Sequence, residues 1–417
     1  DGVDLNGNGI PDGCETLPVH NRTQSVDYAT LQEAIDASAN GDLIEADPGA
    51  YTESIRFFGR EITLQSTSGD PRDTIIDGAG GLHAVQCIDN ESLQTRLRGF
   101  TVTGGSALGS ADDAHGGGLF CRAASPTIEY CIVRGNTAER GGGLGCKDVS
   151  NPRVINCLFS DNTATIHGGA AYAVNLSDPE LVNCTFVRNG AGSRGGAVAS
   201  IQLSHPTIRN GVVWDNSDST GTGATSQFYK ASGLLPGSLT ATYSDVMGGY
   251  NGAGNIDSDP VFVDSNGADG IPGTADDDLR LDAASPCIDA ADHAAYVAVG
   301  GGATDLEGAA RTFDSCVPDT GAGGLTYLDI GAFEAQSDGV DSDGDGVPDA
   351  CDTCPNRKTG DVNGDAIVDA NDVPTFVSVL IAPTEAGADT LCAADTNNDG
   401  TADGLDVQSL IELLLAP

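Results

Sequence analysis

Aromatic residues, basic residues and long apolar runs are all scarce in this 417-residue chain. Phenylalanine, tryptophan and tyrosine make up 5% of the residues, and lysine and arginine total 19 against 61 acidic residues. The formal net charge is therefore −42. Because such a charge repels nucleic acids, anionic lipids and acidic polysaccharides at close range, we exclude those partners. No apolar run has the length needed to cross a bilayer, which predicts a chain without a membrane span.

Glycine, acidic residues and cysteine are abundant. The 57 glycines indicate many turns around a core with few aromatic rings. Twelve cysteines suit an oxidising compartment, so we expect an extracellular or cell-surface protein. The chain begins at Asp1 with neither an initiator methionine nor a signal peptide, and we therefore expect a secreted, processed product.

Two acidic, glycine-rich segments, DLNGNGIPDGCE and DSDGDGVPDACD, have oxygen-bearing residues at the spacing of a calcium-binding loop. The alternative, a plain solvated turn, fits less well because five positions match in both copies. A proline follows the seventh position in each copy, and in this the segments resemble thrombospondin type 3 repeats. The predicted calcium ligands, the seventh residue acting through its carbonyl, are Asp4, Asn6, Asn8, Ile10, Asp12 and Glu15, then Asp341, Asp343, Asp345, Val347, Asp349 and Asp352.

Two more such loops, each followed by an apolar segment of helical character, lie beyond residue 358. This loop–helix duplication resembles a dockerin type I module, which implies two bound calcium ions and docking onto a cohesin-like β-domain. Ala366 replaces the usual glycine of the first loop, and Ala370-Asn371 and Gly404-Leu405 replace the family's hydroxyl-bearing recognition pairs. The predicted ligands are Asp361, Asn363, Asp365, Ile367, Asp369 and Asp372, then Asp395, Asn397, Asp399, Thr401, Asp403 and Asp406.

The middle of the chain repeats with a period of 26 or 27 residues, marked by Pro126, Pro152, Pro179 and Pro206. Each period contains short β-branched runs between glycine turns, which favours a parallel β-helix over a helical solenoid. Stacked coils would align equivalent residues into ladders. The expected ladders, both structural, are Cys131, Cys157 and Cys184, ending at Gly211, and Asn136, Asn162, Asn189 and Asn216.

Segments on both sides of the repeat resemble the pectate-lyase-like right-handed β-helix superfamily. The resemblance implies a capping helix over Leu31 to Ala39 and closing coils in NIDSDPVFVD, SPCIDAAD and LDIGAFE. Cys287 and Cys316 are candidates for a disulfide that pins the closing end. A second ladder is expected at Cys87, Cys121 and Cys146, within which one neighbouring pair could be oxidised, and Cys351 and Cys354 are read as disulfide bracing.

These features predict a mainly β chain with a small α-helical calcium-loop module. The expected parts are a calcium loop and lead-in at 1–26, a right-handed parallel β-helix with caps at 27–335, a calcium loop and linker at 336–358, and a dockerin-like module at 359–417. The acidic run from Asp264 could hold a further ion through Asp264, Asn266 and Asp269.

Three functions fit this organisation. We favour a secreted structural or adhesive rod whose calcium-loaded ends assemble, head to tail, into filaments of itself. The alternatives are a dockerin-bearing subunit held by a cohesin-like partner and a polysaccharide-active lyase or hydrolase, with a neutral carbohydrate as a possible ligand. Two observations argue against an enzyme. The arginines are scattered singly in the sequence, as at Arg134, Arg153, Arg188 and Arg209. Spacing alone does not identify Glu129, Asp161 or Asp215 as catalytic acids. A basic or aromatic-lined groove would favour the enzyme.

Overall fold

The structure is a computed structural model that describes residues 17–274, 276–313, 315, 319–336, 357–397 and 400–415. The chain divides into two compact units. The first comprises residues 1–313 and 319–335, and the second comprises residues 314–318 and 336–417. Among the described residues, no helix is long and apolar enough to span a membrane.

The first unit is a parallel β-helix, as predicted. Successive coils contribute one short strand to each of three long sheets, and most strands pair in parallel with the equivalent strand of the next coil. Alternate side chains of each strand point inward, because successive residues of a strand face opposite sides. In the first sheet these inward positions form a row of aliphatic residues, each at most 1% exposed, at Ile44, Leu64, Leu97, Ile128, Val154, Leu181, Ile208 and Ala241.

The strands of the long sheets are only two to four residues long. The first sheet contains Val19–Asn21, Val26–Tyr28, Leu43–Ala46, Thr63–Ser66, Arg96–Arg98, Thr127–Glu129, Arg153–Ile155, Glu180–Val182, Thr207–Arg209 and Thr240–Thr242. The second contains Gly49–Thr52, Thr74–Asp77, Thr101–Thr103, Ile132–Arg134, Leu158–Ser160, Thr185–Val187, Val212–Trp214 and Asp245–Val246. The third contains Ile55–Arg56, Val85–Cys87, Leu119–Arg122, Leu144–Lys147, Ala171–Val174, Val198–Ser200 and Phe228–Lys230.

Smaller elements complete the first unit. A four-stranded sheet joins Ser106–Ala107, Thr137–Arg140, Thr163–His167 and Gly190–Ala191. An antiparallel pair joins Phe262–Asp264 and Asp278–Leu281. The helices are α1 (Leu31–Ala37), α2 (Ala224–Gln227), α3 (His293–Ala298) and a 3₁₀ turn at Ala111–Ala114.

Helix α1 confirms the predicted cap. The Thr30 hydroxyl accepts the backbone N–H of Glu33 and so begins the helix, and Leu31 and Ile35, one turn apart, are fully buried. The helix ends at Ala37, two residues earlier than expected, because Ser38 is extended and its hydroxyl donates to the carbonyl of Ile35. Val19–Asn21 and Val26–Tyr28 pair antiparallel at the same edge of the first sheet.

The asparagine ladder forms as predicted. The backbone N–H and the Nδ2 of Asn136 both donate to Oδ1 of Asn162 at 3.1 Å. Asn162 repeats this arrangement with Asn189, and Asn189 repeats it with Asn216. Gln227 accepts the last amide at 3.0 Å. All four asparagines are fully buried, so the ladder satisfies turn backbone that would otherwise lack hydrogen-bond partners.

Both cysteine ladders also form, and all their members are free thiols. The thiol groups of Cys131, Cys157 and Cys184 each donate to the carbonyl two residues earlier. Cys121 pairs in register with Cys87 on one side and Cys146 on the other. The expectation of an oxidised neighbouring pair in this second ladder is wrong. So is the expected disulfide of Cys287, which is a buried free thiol; Cys316, Cys351 and Cys354 lie outside the described residues.

We expect the ladder cysteines to resist alkylation in the native protein. Burial raises the pKa of the Cys157 and Cys146 thiols, and the thiolate is the reactive species. Iodoacetamide treatment at neutral pH followed by mass spectrometry should modify these residues only after denaturation. Modification of Cys157 in the native protein would contradict the prediction.

After Ile256, which pairs in parallel with Asp245, the described residues up to 335 contribute no strand to the three long sheets, so the expected closing coils are absent from this part of the chain. These residues fold back along the outer face of the second sheet, where Gly331 donates to the carbonyl of Asn210 and Ala332 to the Thr185 hydroxyl. Phe333 and Leu306 pack with Leu158 in an apolar cluster outside the coils. We refer to residues 257–274, 276–313, 315 and 319–335 as the folded-back segment.

A second asparagine ladder, at Asn156, Asn183 and Asn210, anchors this segment. All three adopt left-handed backbone conformations, with φ values of 51°, 50° and 56°, respectively. Their side-chain amides donate to the hydroxyl of Tyr296 and to the carbonyls of Asp329 and Asp292, respectively. Asparagine suits these positions because it tolerates the left-handed region.

Buried charges hold the end of the folded-back segment. Arg311 is fully buried, its guanidinium lies 3.4 Å from the Glu334 carboxylate, and it donates to the carbonyl of Gly331. Asp329 accepts the backbone N–H groups of Asp289 and Ala335. Burial raises the pKa of Asp329 to about 7 and that of Glu334 well above its usual range.

This burial predicts that the β-helix loses stability as the pH rises. Unfolded aspartate titrates near pH ~3.9, and the folded pKa of Asp329 is about 7, so between those values the folded state binds more protons. The contribution of Asp329 to stability should therefore fall by roughly 1.4 kcal/mol per pH unit between pH ~4 and pH ~7, and Glu334, whose pKa is also raised, adds to the fall. Thermal unfolding from pH 4 to 8 measures this slope. Asp329→Asn, although less stable because one acceptor becomes a donor, should show a shallower slope; an unchanged slope would reject the assignment.

The second unit is a small helical module. It contains α4 (Val373–Ile381), a 3₁₀ turn at Pro383–Glu385, α5 (Ala388–Ala394) and α6 (Asp406–Leu415). Its core is formed by Val362, Phe376, Val379, Ala394 and Leu410. Helices α4 and α6 each follow one of the two predicted calcium loops directly.

Candidate functional site

Two of the four predicted calcium loops lie outside the described residues. They comprise Asp4, Asn6, Asn8, Ile10, Asp12 and Glu15, and Asp341, Asp343, Asp345, Val347, Asp349 and Asp352. Their role in calcium binding stays a prediction.

The loop at 361–372 wraps its backbone around two buried carboxylates. Asp361 accepts the backbone N–H groups of Gly364 and Asp365 through Oδ1 and that of Ala366 through Oδ2. Asp372 accepts from Asn363 through Oδ1 and from Asp369 through Oδ2, at 2.9 and 2.8 Å. Both aspartates are at most 3% exposed.

Ala366 occupies the sixth loop position, where glycine is usual. Its φ is 69°, and the equivalent residue of the other loop, Gly400, has φ 89°. The turn therefore forms with alanine in the left-handed region, at an energetic cost that glycine would not incur.

The loop at 395–406 repeats this geometry. Asp406 accepts the backbone N–H of Asn397 through Oδ1 and that of Asp403 through Oδ2, as Asp372 does in the first loop. Gly400 donates to Asp395, as Ala366 donates to Asp361. Asp399 lies outside the described residues. The two loops thus share one hydrogen-bond pattern as well as one spacing.

The donor chemistry of both loops fits calcium. Carboxylate, amide and main-chain carbonyl oxygens at these positions are the ligands that Ca²⁺ prefers. In the ranges that the structure covers, no three acidic, histidine or cysteine side chains converge as a ready metal cluster.

The acidic run from Asp264, where a further ion was expected, stays a prediction as a calcium site. Asp264 and Asp269 accept the backbone N–H groups of Asn266 and Ile271, each two residues further on, and so form local turns. Asp277 instead pairs with Arg188 at 2.6 Å. These contacts make the run part of the folded-back segment.

A cleft of about 420 Å³ lies between the second sheet and the folded-back segment. Four arginines line it, Arg72, Arg134, Arg188 and Arg280, although they are far apart in the sequence. The reading of Arg134 and Arg188 as scattered singly is therefore wrong. Arg153 and Arg209 lie elsewhere and share the carboxylate of Glu180.

Three of these arginines already have acidic partners. Arg72 pairs with Asp70 and Glu307, Arg280 pairs with Asp278, and Arg188 pairs with Asp161 and Asp277; these are the ion pairs of the cleft. Hydrogen bonds from the arginines lower the pKa of Asp70 and Asp278. Burial raises the pKa of Glu307, an effect that Arg72 and Arg280 oppose.

The three carboxylates considered as catalytic acids lie on two sheets, Glu129 on the first and Asp161 and Asp215 just after strands of the second. Glu129 lies on the first sheet, 3% exposed, and binds Arg96 at 2.9 Å. Asp161 follows the second sheet and is bound by Arg188. Asp215 is exposed, with φ 56°.

Several solved structures match this chain at low similarity. The pectin methylesterase from Yersinia enterocolitica matches with a TM-score of 0.35 and 13% identity over 54% of this chain and 81% of its own. That from carrot gives 0.33 and 14% over 55% and 82%. That from Aspergillus niger gives 0.35 and 14% over 58% and 88%. These scores are too low to carry an inference about activity, and no curated protein is significantly similar in sequence.

Family models match both units of the chain. Residues 84–266 match the right-handed β-helix region, which covers most of the coils and confirms the resemblance predicted for them. Residues 359–415 match the dockerin type I domain, which covers both described loops and helices α4 to α6. The chain is therefore a right-handed β-helix region followed by a dockerin type I domain.

Proposed function

We propose that the dockerin type I domain binds calcium through its two loops and attaches the β-helix to a cohesin-like β-domain of another protein. The observation that carries the proposal is the repeated geometry of the loops, in which Asp372 and Asp406 are held by equivalent backbone donors. Dockerin type I domains generally bind calcium and cohesin partners.

The helices after the loops support a docking role. Val377 and Ile381 on α4 are 45% and 79% exposed, and Ile411 and Leu415 on α6 are 44% and 78% exposed. Exposed apolar residues of this kind mark interaction surfaces when they cluster. Asn371 and Leu405, in the recognition positions, differ from the family's hydroxyl-bearing pairs, so the cohesin that fits this chain should differ in its contact residues.

Calorimetric titration of the full chain with a panel of cohesin domains, in calcium and then in chelator, tests the proposal. We expect binding by at least one cohesin, only in calcium, and its loss in the double variant Asp372→Ala, Asp406→Ala. Asp389→Asn on α5, outside both loops, is the matched control and should bind normally. Binding that survives chelation, or failure of every cohesin in calcium, would overturn the proposal.

The cleft of the β-helix supports a second candidate function at the level of ligand binding. An arginine-lined groove is the feature expected of a polysaccharide-active β-helix, and Arg72, Arg134, Arg188 and Arg280 provide one. The ion pairs of the cleft leave no obvious pair of catalytic acids there. Head-to-tail assembly into filaments and an extracellular location stay predictions, because the terminal loops that would join copies lie outside the described residues.

A further inference from the structure

We propose that the cleft between the second sheet and the folded-back segment binds a small organic acid, a ligand with one carboxylate on an apolar body, and that Arg134 anchors the carboxylate. This site is independent of the dockerin domain. The proposal rests on one difference between Arg134 and the other arginines of the cleft, which is that the others form ion pairs.

Arg134 has no ion-pair partner, and its guanidinium donates no hydrogen bond within the described part of the chain; its main-chain carbonyl accepts from Nδ2 of Asn136. It is nevertheless only half-buried and lines the cleft. A guanidinium presents a fork of donors that matches a carboxylate in two parallel hydrogen bonds. The guanidinium of Arg134 is therefore available to bind the carboxylate of a ligand.

Ser160 extends this anchor. It pairs in register with Arg134 on the next strand and lines the same cleft. Its hydroxyl forms no hydrogen bond with any described residue, so it can donate to the same carboxylate. The rigid parallel pairing of Ile132–Arg134 with Leu158–Ser160 fixes the spacing of the two donors.

The neighbouring walls are apolar. Ile132 and Leu158 precede the two donors on their strands, and Phe333 and Leu306 of the folded-back segment face them. These four residues give an otherwise polar cleft one apolar side next to the two donors, and small-molecule sites combine apolar surface with placed polar groups in this way. The walls suit a ring or short chain that carries the acid.

The surrounding charge limits the ligand to a single acidic group. Five carboxylates, Asp70, Glu307, Asp161, Asp277 and Asp278, pair with the other three arginines, and Arg134 is the arginine of the cleft without an acidic partner among the described residues. A second negative charge on the ligand would face these carboxylates without a partner of its own.

Titration calorimetry of the full chain with benzoate and with benzamide, its uncharged counterpart, tests the inference. We expect benzoate to bind at least about tenfold more tightly than benzamide, because benzamide lacks the charged acceptor. Arg134→Gln should weaken benzoate binding about tenfold or more, Ser160→Ala should weaken it less, and both variants should leave benzamide unaffected.

Arg194→Gln is the matched control, since Arg194 is exposed and lies outside the cleft; it should bind benzoate as the parent does. If Arg134→Gln fails to fold, Arg134→Lys, which keeps the charge but loses the fork, should retain folding and still weaken binding. Equal binding of benzoate and benzamide, no binding of benzoate, or normal binding by both Arg134 variants would overturn the inference.

Discussion

Replacing Asn189 with alanine is expected to lower the free energy of unfolding of the β-helix by about 4 kcal/mol. Asn189 stands in the middle of the ladder and is fully buried. Its Oδ1 accepts two hydrogen bonds from Asn162, and its Nδ2 donates to Asn216 and to the carbonyl of Phe159. Alanine would leave these buried groups unpaired, and each unpaired group costs about 1–3 kcal/mol.

Urea denaturation followed by circular dichroism measures this loss. Asn251→Ala is the matched control, because Asn251 is exposed and its backbone lies outside the left-handed region. It should change the stability by less than about 0.5 kcal/mol. Similar losses for the two variants would show that the ladder contributes no special stability.

Removal of calcium is expected to unfold the dockerin domain and to leave the β-helix intact. The loop at 361–372 carries four aspartates, Asp361, Asp365, Asp369 and Asp372, which repel one another without a cation. The core of this domain is a single small apolar cluster, whereas the β-helix has rows of buried aliphatics along every sheet. At a calcium concentration 1,000-fold above Kd, the ion contributes about 4 kcal/mol, a large fraction of the stability of so small a domain.

Limited proteolysis with and without chelator checks this expectation. In chelator, the protease should trim the chain to a β-rich fragment near residues 27–335, and in calcium the dockerin domain should survive. The variant Asp372→Ala, Asp406→Ala should behave in calcium as the parent does in chelator, and Asp389→Asn should not. Digestion of the whole chain at one rate in chelator would reject the prediction.

The coils and their ladders could be predicted because the same pattern of proline, glycine, cysteine and asparagine recurs in each period of the sequence. The period marked by Pro126, Pro152, Pro179 and Pro206 sets the coil length. Once that length is known, equivalent residues such as Cys131 and Cys157 must stack. The dockerin loops are equally local, since each ligand set spans twelve consecutive residues.

The folded-back segment could not be predicted, because nothing in it repeats. Its contacts join residues about 80 to 235 positions apart, such as Asn210 with Asp292 and Arg72 with Glu307. The recurrence of asparagine just before Cys157, Cys184 and Gly211 was the available signal, since asparagine tolerates the left-handed backbone found there. The cleft was missed for the same reason: Arg72, Arg134 and Arg280 meet only after the segment has folded back.

The folded-back segment also makes the β-helix a rod of fixed length. Coils of a repetitive solenoid are readily duplicated, because an extra coil would find the same asparagine and cysteine ladders on both of its neighbours. Here, however, the stretch from Asp292 to Glu307 is fastened near both ends of the stack, to Asn210 through the carbonyl of Asp292 and to Arg72 through the carboxylate of Glu307. An extra coil between these points would move one fastening by about 4.8 Å, beyond the reach of a hydrogen bond. The length of the segment therefore fixes the number of coils between its two points of attachment. That number can change only if the segment changes in length as well.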